Sequence, residues 1–428
     1  MVRRAAAASA VLALALASCV AGAVSPASAA LDAECAPGTV TLTPTVPQAL
    51  LSLQAARAWE RSTGDGVLVA VVDSGIDIGN PHLSGAVVGG IDLVGDGTDA
   101  NGYTDYDGHG TAIAGEIAAR LVDGSGVMGL APDADLLSVR VFRGTDDEAV
   151  RNGWGPTTER LAAGIRYAVD AGAQVINASI SNYEPSDVLR DAVAYASAHG
   201  SLVVASAGNA ATTDNLEATP RYPAAYPGAL AVTAVNELGL GTDDSIHGPH
   251  VEVAAPGSAI LTSATGAGDC LYGEVPSTSF ATGYASAAAA LVVQAHPTET
   301  PAQWEYRLTA TATRADPDRR DDILGWGIIQ PFEAITLLPD ASTRGPESPF
   351  ADTSQSAVRP VQVVVEPDFA PSAFTLTTDA LILVVIGALT VLGTVAVVVV
   401  MRARRREAPA AAPTGEARPG LLDRPKDS

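Results

Sequence analysis

The sequence is poor in aromatic and charged residues: aromatic side chains fill 5% of its 428 positions and charged side chains 17%. With 41 glycines in addition, this composition is typical of closely packed α/β layers joined by tight turns. Basic residues are scarce, with 25 lysines and arginines against 48 aspartates and glutamates, and Lys426 is the only lysine. The resulting net charge of −23 argues against a nucleic-acid partner, because phosphate backbones attract basic surfaces.

The start of the chain has the pattern of a secretory signal peptide. Two arginines precede a long apolar run that ends in small residues. The small-x-small pattern in SPASAAL predicts cleavage before Ala30, so that residues 1–29 form the signal. The stretch LASC is the competing site, because it resembles a lipobox that would leave Cys19 lipidated.

A second apolar run lies near the other end of the chain. From Ala380 to Met401 there are 22 residues without a charge, enough to cross a bilayer, and we predict a transmembrane helix over 379–401. The stretch RARRR follows at once, which predicts a cytoplasmic tail over 402–428 and an extracytoplasmic remainder. A buried core helix is the alternative, disfavoured by the all-round apolarity beside a basic cluster. The prediction is a single-pass protein of the cell membrane.

Cysteine is rare, with three in the whole sequence. Cleavage before Ala30 would leave Cys35 and Cys270, and an oxidising compartment predicts a disulfide between them. That bond would tie an N-terminal arm, residues 30–48, to the loop before a helix of small residues. Two unpaired thiols are the alternative.

Continuous apolar, β-branched runs recur along the chain, as expected for strands buried on both faces of a parallel sheet. Helical patterns lie between several of them, which predicts an α/β domain with a doubly wound, mostly parallel sheet over residues 49–339. Prolines and acidic residues over 340–378 then indicate a linker. The predicted strands are 67–73, 135–142, 173–179, 201–207 and 229–235, and the helical patterns are 109–121, 157–172 and 187–200.

Four polar residues stand where a parallel sheet gathers its active groups, at strand ends and helix mouths. Asp73 ends the first strand, and His109 begins a helix between two glycines. Asn209 lies beyond the fourth strand, and Ser279 opens the helix of small residues. Each has an ordinary alternative, as a turn residue, a satisfied loop histidine, a loop cap and a helix N-cap. Together they supply a nucleophile, its base, a carboxylate that orients the base and an amide for the oxyanion.

The stretches VAVVDSGID, DGHGTAIAG, ASAGN and STSFATG resemble the sequence motifs of the subtilisin-like serine proteases, in that family's order. The resemblance covers about residues 50–336. It implies that Asp73 orients the general base His109. It also implies that Asn209 donates to the oxyanion and that Ser279 is the nucleophile.

Two further features follow from the same resemblance. The stretch NASIS is similar to the strand that lines the family's cleft, which implies backbone contacts to a peptide substrate from Ser179, Ile180 and Ser181. The nucleophile segment also departs from the family. Ser277 stands where glycine is usual, and Gly283 and Tyr284 replace a Pro-His or Pro-Tyr pair. A side chain at position 277 narrows the cleft beside the oxyanion site.

The layout of signal, cysteine-bearing arm, linker, single span and basic tail is more narrowly similar to the mycosins, membrane-anchored subtilases that accompany type VII secretion systems of actinobacteria. Fewer than 40 residues separate the signal from the core, too few for the family's usual inhibitory propeptide. The resemblance implies secreted polypeptide substrates and a type VII secretion membrane complex as partner. A structural subunit with a dispensable triad is the main alternative, and a general surface protease is a weaker one.

An acidic stretch beside the predicted histidine raises the question of a metal. It lacks the spacing and the terminal glutamate of an EF-hand, so we expect a solvated acidic loop and no metal or other cofactor. Calcium binding is the alternative, because many subtilases carry calcium. The aspartates are Asp92, Asp96, Asp99, Asp105 and Asp107.

Overall fold

The computed structural model describes residues 38–210, 219–273 and 275–350. The predicted signal peptide, membrane helix and cytoplasmic tail lie outside these ranges, as do Cys35 and most of the linker. Within the described ranges, no helix combines the length and apolarity needed to cross a bilayer. The predicted transmembrane helix over 379–401 lies outside the described residues and stays a prediction.

The described residues form one central sheet of seven parallel strands, in the order β2-β3-β1-β4-β5-β6-β7. The predicted doubly wound parallel sheet is therefore confirmed. Its strands are β1 (Leu68–Asp73), β2 (Val87–Asp92), β3 (Asp135–Arg140), β4 (Val175–Ala178), β5 (Leu202–Ser206), β6 (Ala229–Val235) and β7 (Val253–Pro256), and an antiparallel pair is formed by β8 (Ile260–Ser263) and β9 (Asp269–Tyr272).

Helices cover both faces of the sheet. They are α1 (Gln48–Ser52), α2 (Ala55–Trp59), α3 (His109–Ala118), α4 (Asp147–Arg151), α5 (Thr158–Asp170), α6 (Asp187–Ala198), α7 (Thr278–Ala295), α8 (Pro301–Ala310) and α9 (Pro331–Thr336). One core lies between the sheet and α3 with α7, and the other lies between the sheet and α5 with α6. Strands β1, β5 and β6 are buried almost throughout, because each meets a helix layer on both sides.

Helix α7 runs through the first core and is almost entirely buried. Its run of alanines lets it lie close to β4, β5, β6 and β7, because small side chains allow short distances between backbones. The amino end of α7 meets the carboxyl ends of β4 and β5, where Ser206 Oγ and Thr278 Oγ1 are 2.6 Å apart. This packing fixes where the predicted nucleophile lies.

The contact between α3 and α7 contains a buried acid. Glu116 on α3 is 1% exposed, and neither of its carboxyl oxygens has a hydrogen-bond partner among the described residues. Burial raises its pKa well above the usual value, because the charged form is poorly solvated in the core. It fills the space beside Gly283, where any Cβ would overlap Glu116 Oε2. Glu116 thus occupies room that Gly283 leaves open.

We expect Gly283→Ala to lower the free energy of unfolding by about 1–3 kcal/mol, because the added methyl overlaps Glu116 in a close-packed core. In a Glu116→Ala background the same substitution should instead stabilise by about 0.5–1 kcal/mol, since alanine is the better helix residue. Urea unfolding of the four proteins measures both values. An unchanged sign in the two backgrounds would show that Glu116 does not fill this space.

The described part of the N-terminal arm lies along the β8–β9 pair. Gly38 N donates to Gly266 O at 2.6 Å, and Asp269 N donates to Thr41 O at 2.8 Å. Asp269 also accepts from Thr43 N at 2.7 Å and is paired at 2.7 Å with the buried ring of His82. These contacts hold the arm next to the strand that carries Cys270.

Candidate active site

Asp73 and His109 form a close pair at the carboxyl edge of the sheet. Asp73 is the last residue of β1 and is fully buried, while His109 is the first residue of α3. Gly108 before it has a φ of +87°, a left-handed turn that suits glycine and aims the imidazole at the end of β1. His109 Nδ1 lies 2.8 Å from Asp73 Oδ1, which also accepts from Ser74 N at 2.8 Å.

The contact with Asp73 changes the pKa of the His109 imidazole. Burial by itself lowers the pKa of His109, but the charge and hydrogen bond of Asp73, with Asp107 and Asp105 adding, outweigh it and raise the pKa to about 9. With Nδ1 bonded to the carboxylate, Nε2 is the nitrogen left to take a proton from a nucleophile.

Asp105 supports the turn that carries His109, a role its place in the acidic loop did not suggest. Its Oδ1 accepts from Gly108 N at 2.8 Å, and its Oδ2 accepts from Thr111 N at 2.9 Å and Thr111 Oγ1 at 2.6 Å. The carboxylate therefore binds the backbone on both sides of His109. Capping preferences give no signal for this role, because they concern the N-cap residue itself, which here is Gly108.

Ser279 is the second residue of α7, so it lies in the first turn and is not the N-cap. The N-cap is Ser277, and its side chain makes no capping hydrogen bond. Instead Ser277 Oγ lies 2.8 Å from Ser279 Oγ. Within the described part of the chain, Ser279 Oγ is hydrogen-bonded to Ser277 and not to His109. The ring of Phe280, next in sequence, lies 5.8 Å from that of His109.

Asn209 lies three residues beyond β5 and faces the start of α7. Its Oδ1 accepts from Thr278 N at 2.8 Å and from Thr278 Oγ1 at 2.9 Å. The backbone donor Thr278 N fixes which way the amide is turned, because only the oxygen can accept from an N–H. Nδ2 is therefore directed to the other side, where it donates to Ser277 Oγ at 3.1 Å.

The predicted cleft strand continues from β4. Ser179 Oγ donates to Ser279 O at 3.0 Å, which joins this segment to the first turn of α7. A cleft of about 490 Å³ brings together the predicted site residues other than Asp73, which lies behind His109. Its lining residues are Asp107, His109, Phe142, Thr145, Pro156, Ser179, Ile180, Ser181, Ser206, Asn209 and Ser279. None of the described arm residues is in this lining.

The acidic loop is not the solvated loop that its composition predicts. Arg140 on β3 is fully buried and pairs with Asp92 at 3.0 Å and with Asp96 at 2.7 Å. The hydrogen bond from Arg140 holds the pKa of Asp96 well below its usual range. Asp99 accepts from the backbone of Asn101 and Tyr103.

The same partners bear on calcium binding. A calcium ion needs six to eight oxygen ligands, and the carboxylates of Asp92, Asp96 and Asp99 already accept from a guanidinium or from backbone donors. Across the described residues, no group of three or more histidine, cysteine or acidic side chains is placed to hold a metal ion. These contacts give no support to calcium binding by the acidic loop, and the absence of a cofactor stays a prediction.

We expect kcat/KM to rise with pH through an apparent pKa well above that of an ordinary histidine, because a base acts only when it is deprotonated. Partial desolvation in the cleft, with the charges of Asp73 and Asp105 adding, raises the pKa of Asp107 to about 6, so at neutral and alkaline pH this carboxylate is ionised and favours the charged imidazole. Asp107→Asn should therefore move the rise to lower pH, by roughly half a pH unit or more. The exposed Asp187→Asn makes the same charge change on α6, and matching profiles for the two variants would contradict this account.

Comparison with known proteins agrees with this geometry. The family model Peptidase S8, the subtilase family, matches residues 64–327. Thermitase of Thermoactinomyces vulgaris is 39% identical over 241 residues, which are 56% of this chain and 79% of thermitase. The crystal structure of MycP1 from Mycobacterium smegmatis has a TM-score of 0.61 and 31% identity, covering 73% of this chain and 91% of that one. MycP3 protease from the type VII (ESX-3) secretion system has a TM-score of 0.59 and 30% identity, covering 74% of this chain and 100% of that one.

Proposed function

The chain belongs to the subtilase family of serine proteases, and from that membership we propose that it cuts polypeptides outside the cytoplasm with Ser279 as nucleophile. His109 is the base in this proposal, and Asp73 orients it. The observation that carries the proposal is the 2.8 Å contact between Asp73 and His109 at one cleft shared with Ser279 and Asn209.

In the proposed reaction, His109 Nε2 takes the proton of Ser279 Oγ as that oxygen bonds to the carbonyl carbon of the substrate. Asp73 stabilises the imidazolium that forms. The tetrahedral oxyanion accepts from Asn209 Nδ2 and from the backbone N–H groups at the start of α7. His109 then gives its proton to the leaving amine, and water resolves the acyl-enzyme by the same steps.

The segment after β4 is proposed to hold the substrate chain. It continues the edge of a buried strand into the cleft, where an extended peptide can pair with it through main-chain hydrogen bonds. Ser179, Ile180 and Ser181 line that side of the cleft. Main-chain pairing would bind many sequences, and side-chain preference would come from the surrounding pockets.

We further propose that the protease is anchored in the cell membrane beside a type VII secretion complex. The similarity to MycP1 and MycP3 supports this proposal, together with the apolar run at 379–401 and the basic cluster after it. The arm contacts support the predicted disulfide, because Gly38, three residues after Cys35, is bound to Gly266, four residues before Cys270. Anchoring would restrict the protease to polypeptides that pass close to the membrane.

A fluorophosphonate probe tests the peptidase function, because it reacts with an activated serine. The full-length protein should be labelled and the Ser279→Ala variant should not. Comparing the secreted proteins of wild-type cells with those of Ser279→Ala cells would then identify substrates. Labelling that survives the substitution, or a folded wild-type protein that never labels, would rule out Ser279 as the nucleophile.

A structural subunit of a secretion complex is the second candidate. The hydrogen bond of Ser279 to Ser277 instead of His109 favours it, because the resting nucleophile is not bonded to its base. Secretion that continues in Ser279→Ala cells and stops when the chain is deleted would support this function. Loss of secretion in both strains would support proteolysis.

A further inference from the structure

The side chain of Ser277 lies between the two groups on which acylation depends. Its Oγ is 2.8 Å from Ser279 Oγ and 3.1 Å from Asn209 Nδ2. The orientation of the amide is set by Thr278 N, which donates to Asn209 Oδ1. The hydroxyl therefore accepts from the amide that the substrate oxyanion would need.

Ser277 Oγ and the oxyanion of a bound substrate compete for the same position. In a tetrahedral intermediate the oxyanion is attached to the carbon bonded to the nucleophile, and it lies about 2.7–3.1 Å from its amide donor. A point about 3 Å from both nucleophile and donor is where a reacting atom should sit. Ser277 Oγ occupies such a point. We propose that this hydroxyl stands in for the oxyanion in the resting protein and has to rotate away before Ser279 can be acylated.

Because the backbone around Ser277 is fixed, the hydroxyl can leave this position only when the side chain rotates. Ser277 has φ −125° and ψ 128°, an ordinary extended conformation, and its N–H donates to Gly257 O at 2.8 Å. Gly257 is in turn packed against the carbonyl of Ser277, where a Cβ would be 2.6 Å from that oxygen. The main chain is thus fixed on both sides, whereas a serine side chain turns about a single χ1 angle.

The proposal rests on the function assigned to Ser279 and makes Ser277 a positioning residue. Acylation has to exchange the two hydrogen bonds of the hydroxyl for bonds to the substrate, and this exchange opposes the chemical step. A bound peptide that has not yet been attacked does not fill the oxyanion position. The Ser277 hydroxyl therefore does not oppose its binding. The effect should therefore be seen in kcat and in ligands that form an oxyanion.

Ser277→Ala tests the proposal, because it removes the hydroxyl and adds nothing. We expect kcat/KM to rise by about three- to tenfold, the equivalent of one modest hydrogen bond. Inhibition by a peptide aldehyde, which forms an oxyanion on Ser279, should tighten by a similar factor, while binding of a peptide that ends in an amide and forms no oxyanion stays the same. In an Asn209→Ala background the gain should shrink, because no amide is then released.

A lower kcat/KM in Ser277→Ala would overturn the proposal, since it would mean that the hydroxyl donates to the oxyanion. Ser277→Gly repeats the test with the residue usual in the family, and both variants must change in the same direction. Failure here is distinguishable from failure of the proposed function. If wild type is labelled by a fluorophosphonate and Ser279→Ala is not, the nucleophile stands whatever Ser277 does.

Discussion

Replacing Ser279 with alanine is expected to lower kcat by about 10⁶-fold, the size of loss found when a subtilisin loses its nucleophile. The reason is that no other hydroxyl of the described cleft lies on α7 beside both His109 and Asn209. KM should change little, because the segment after β4 still binds the substrate. Steady-state hydrolysis of a peptide amide measures both constants.

The losses of kcat from substitutions at Ser279 and His109 should not add. His109→Ala should cost about as much as Ser279→Ala, and the double variant little more, because each residue is useless without the other. Asp73→Asn should lower kcat by about 10⁴-fold, since the amide would favour the wrong imidazole tautomer. Additive losses in the double variant would mean that the two side chains do not act together.

Ser286→Ala is the matched control for this series. Ser286 is a buried serine on the same helix, and its hydroxyl donates to Asn177 Oδ1 at 3.0 Å, away from the cleft lining. Its replacement should cost about 1 kcal/mol of stability and leave kcat unchanged. A large fall in kcat here would mean that the loss at Ser279 reflects a disturbed helix.

Much of the sheet could be predicted from the sequence, because its central strands carry continuous apolar runs. The runs at 67–73 and 229–235 correspond to β1 and β6. Strand β2 has no such pattern, since its sequence VVGGID contains two glycines and is only partly buried at the sheet edge. Strand β7 has four residues, mostly alanine, and short runs of small residues do not identify a strand.

The candidate site, like the sheet, could be predicted only in part. Residue types in the family's order predicted that His109, Asn209 and Ser279 share one cleft with Asp73 behind His109, because strand ends and helix mouths converge at one edge of a parallel sheet. Side-chain direction could not be predicted. Arg140 neutralises an acidic loop 44 residues away in sequence, and Ser277 at a helix N-cap bonds to Asn209 instead of its own helix. Both contacts depend on long-range packing that no local pattern encodes.

Asn209→Ala is expected to lower kcat by about 10²- to 10³-fold, the range found when a subtilisin loses the equivalent amide. The effect should fall on kcat and not on KM, because the oxyanion exists only after the nucleophile has attacked. A loss below tenfold would show that backbone donors at the start of α7 hold the oxyanion without this side chain.

The amide of Asn209 also has a structural role, and a second variant separates the two. Asn209→Asp keeps an oxygen to accept from Thr278 N and Thr278 Oγ1, but it replaces the donor with a carboxylate oxygen. It should therefore retain more stability than Asn209→Ala while losing at least as much kcat, since a negative charge opposes the oxyanion.

Asn236→Ala supplies the control for the structural part. Asn236 Oδ1 also accepts two backbone hydrogen bonds, from Leu238 N at 3.0 Å and Leu240 N at 3.1 Å, in a loop outside the cleft lining. Its loss should reduce stability by about 1 kcal/mol and leave kcat unchanged. If kcat in the two Asn209 variants instead follows their stability, Asn209 supports the loop and does not donate to the oxyanion.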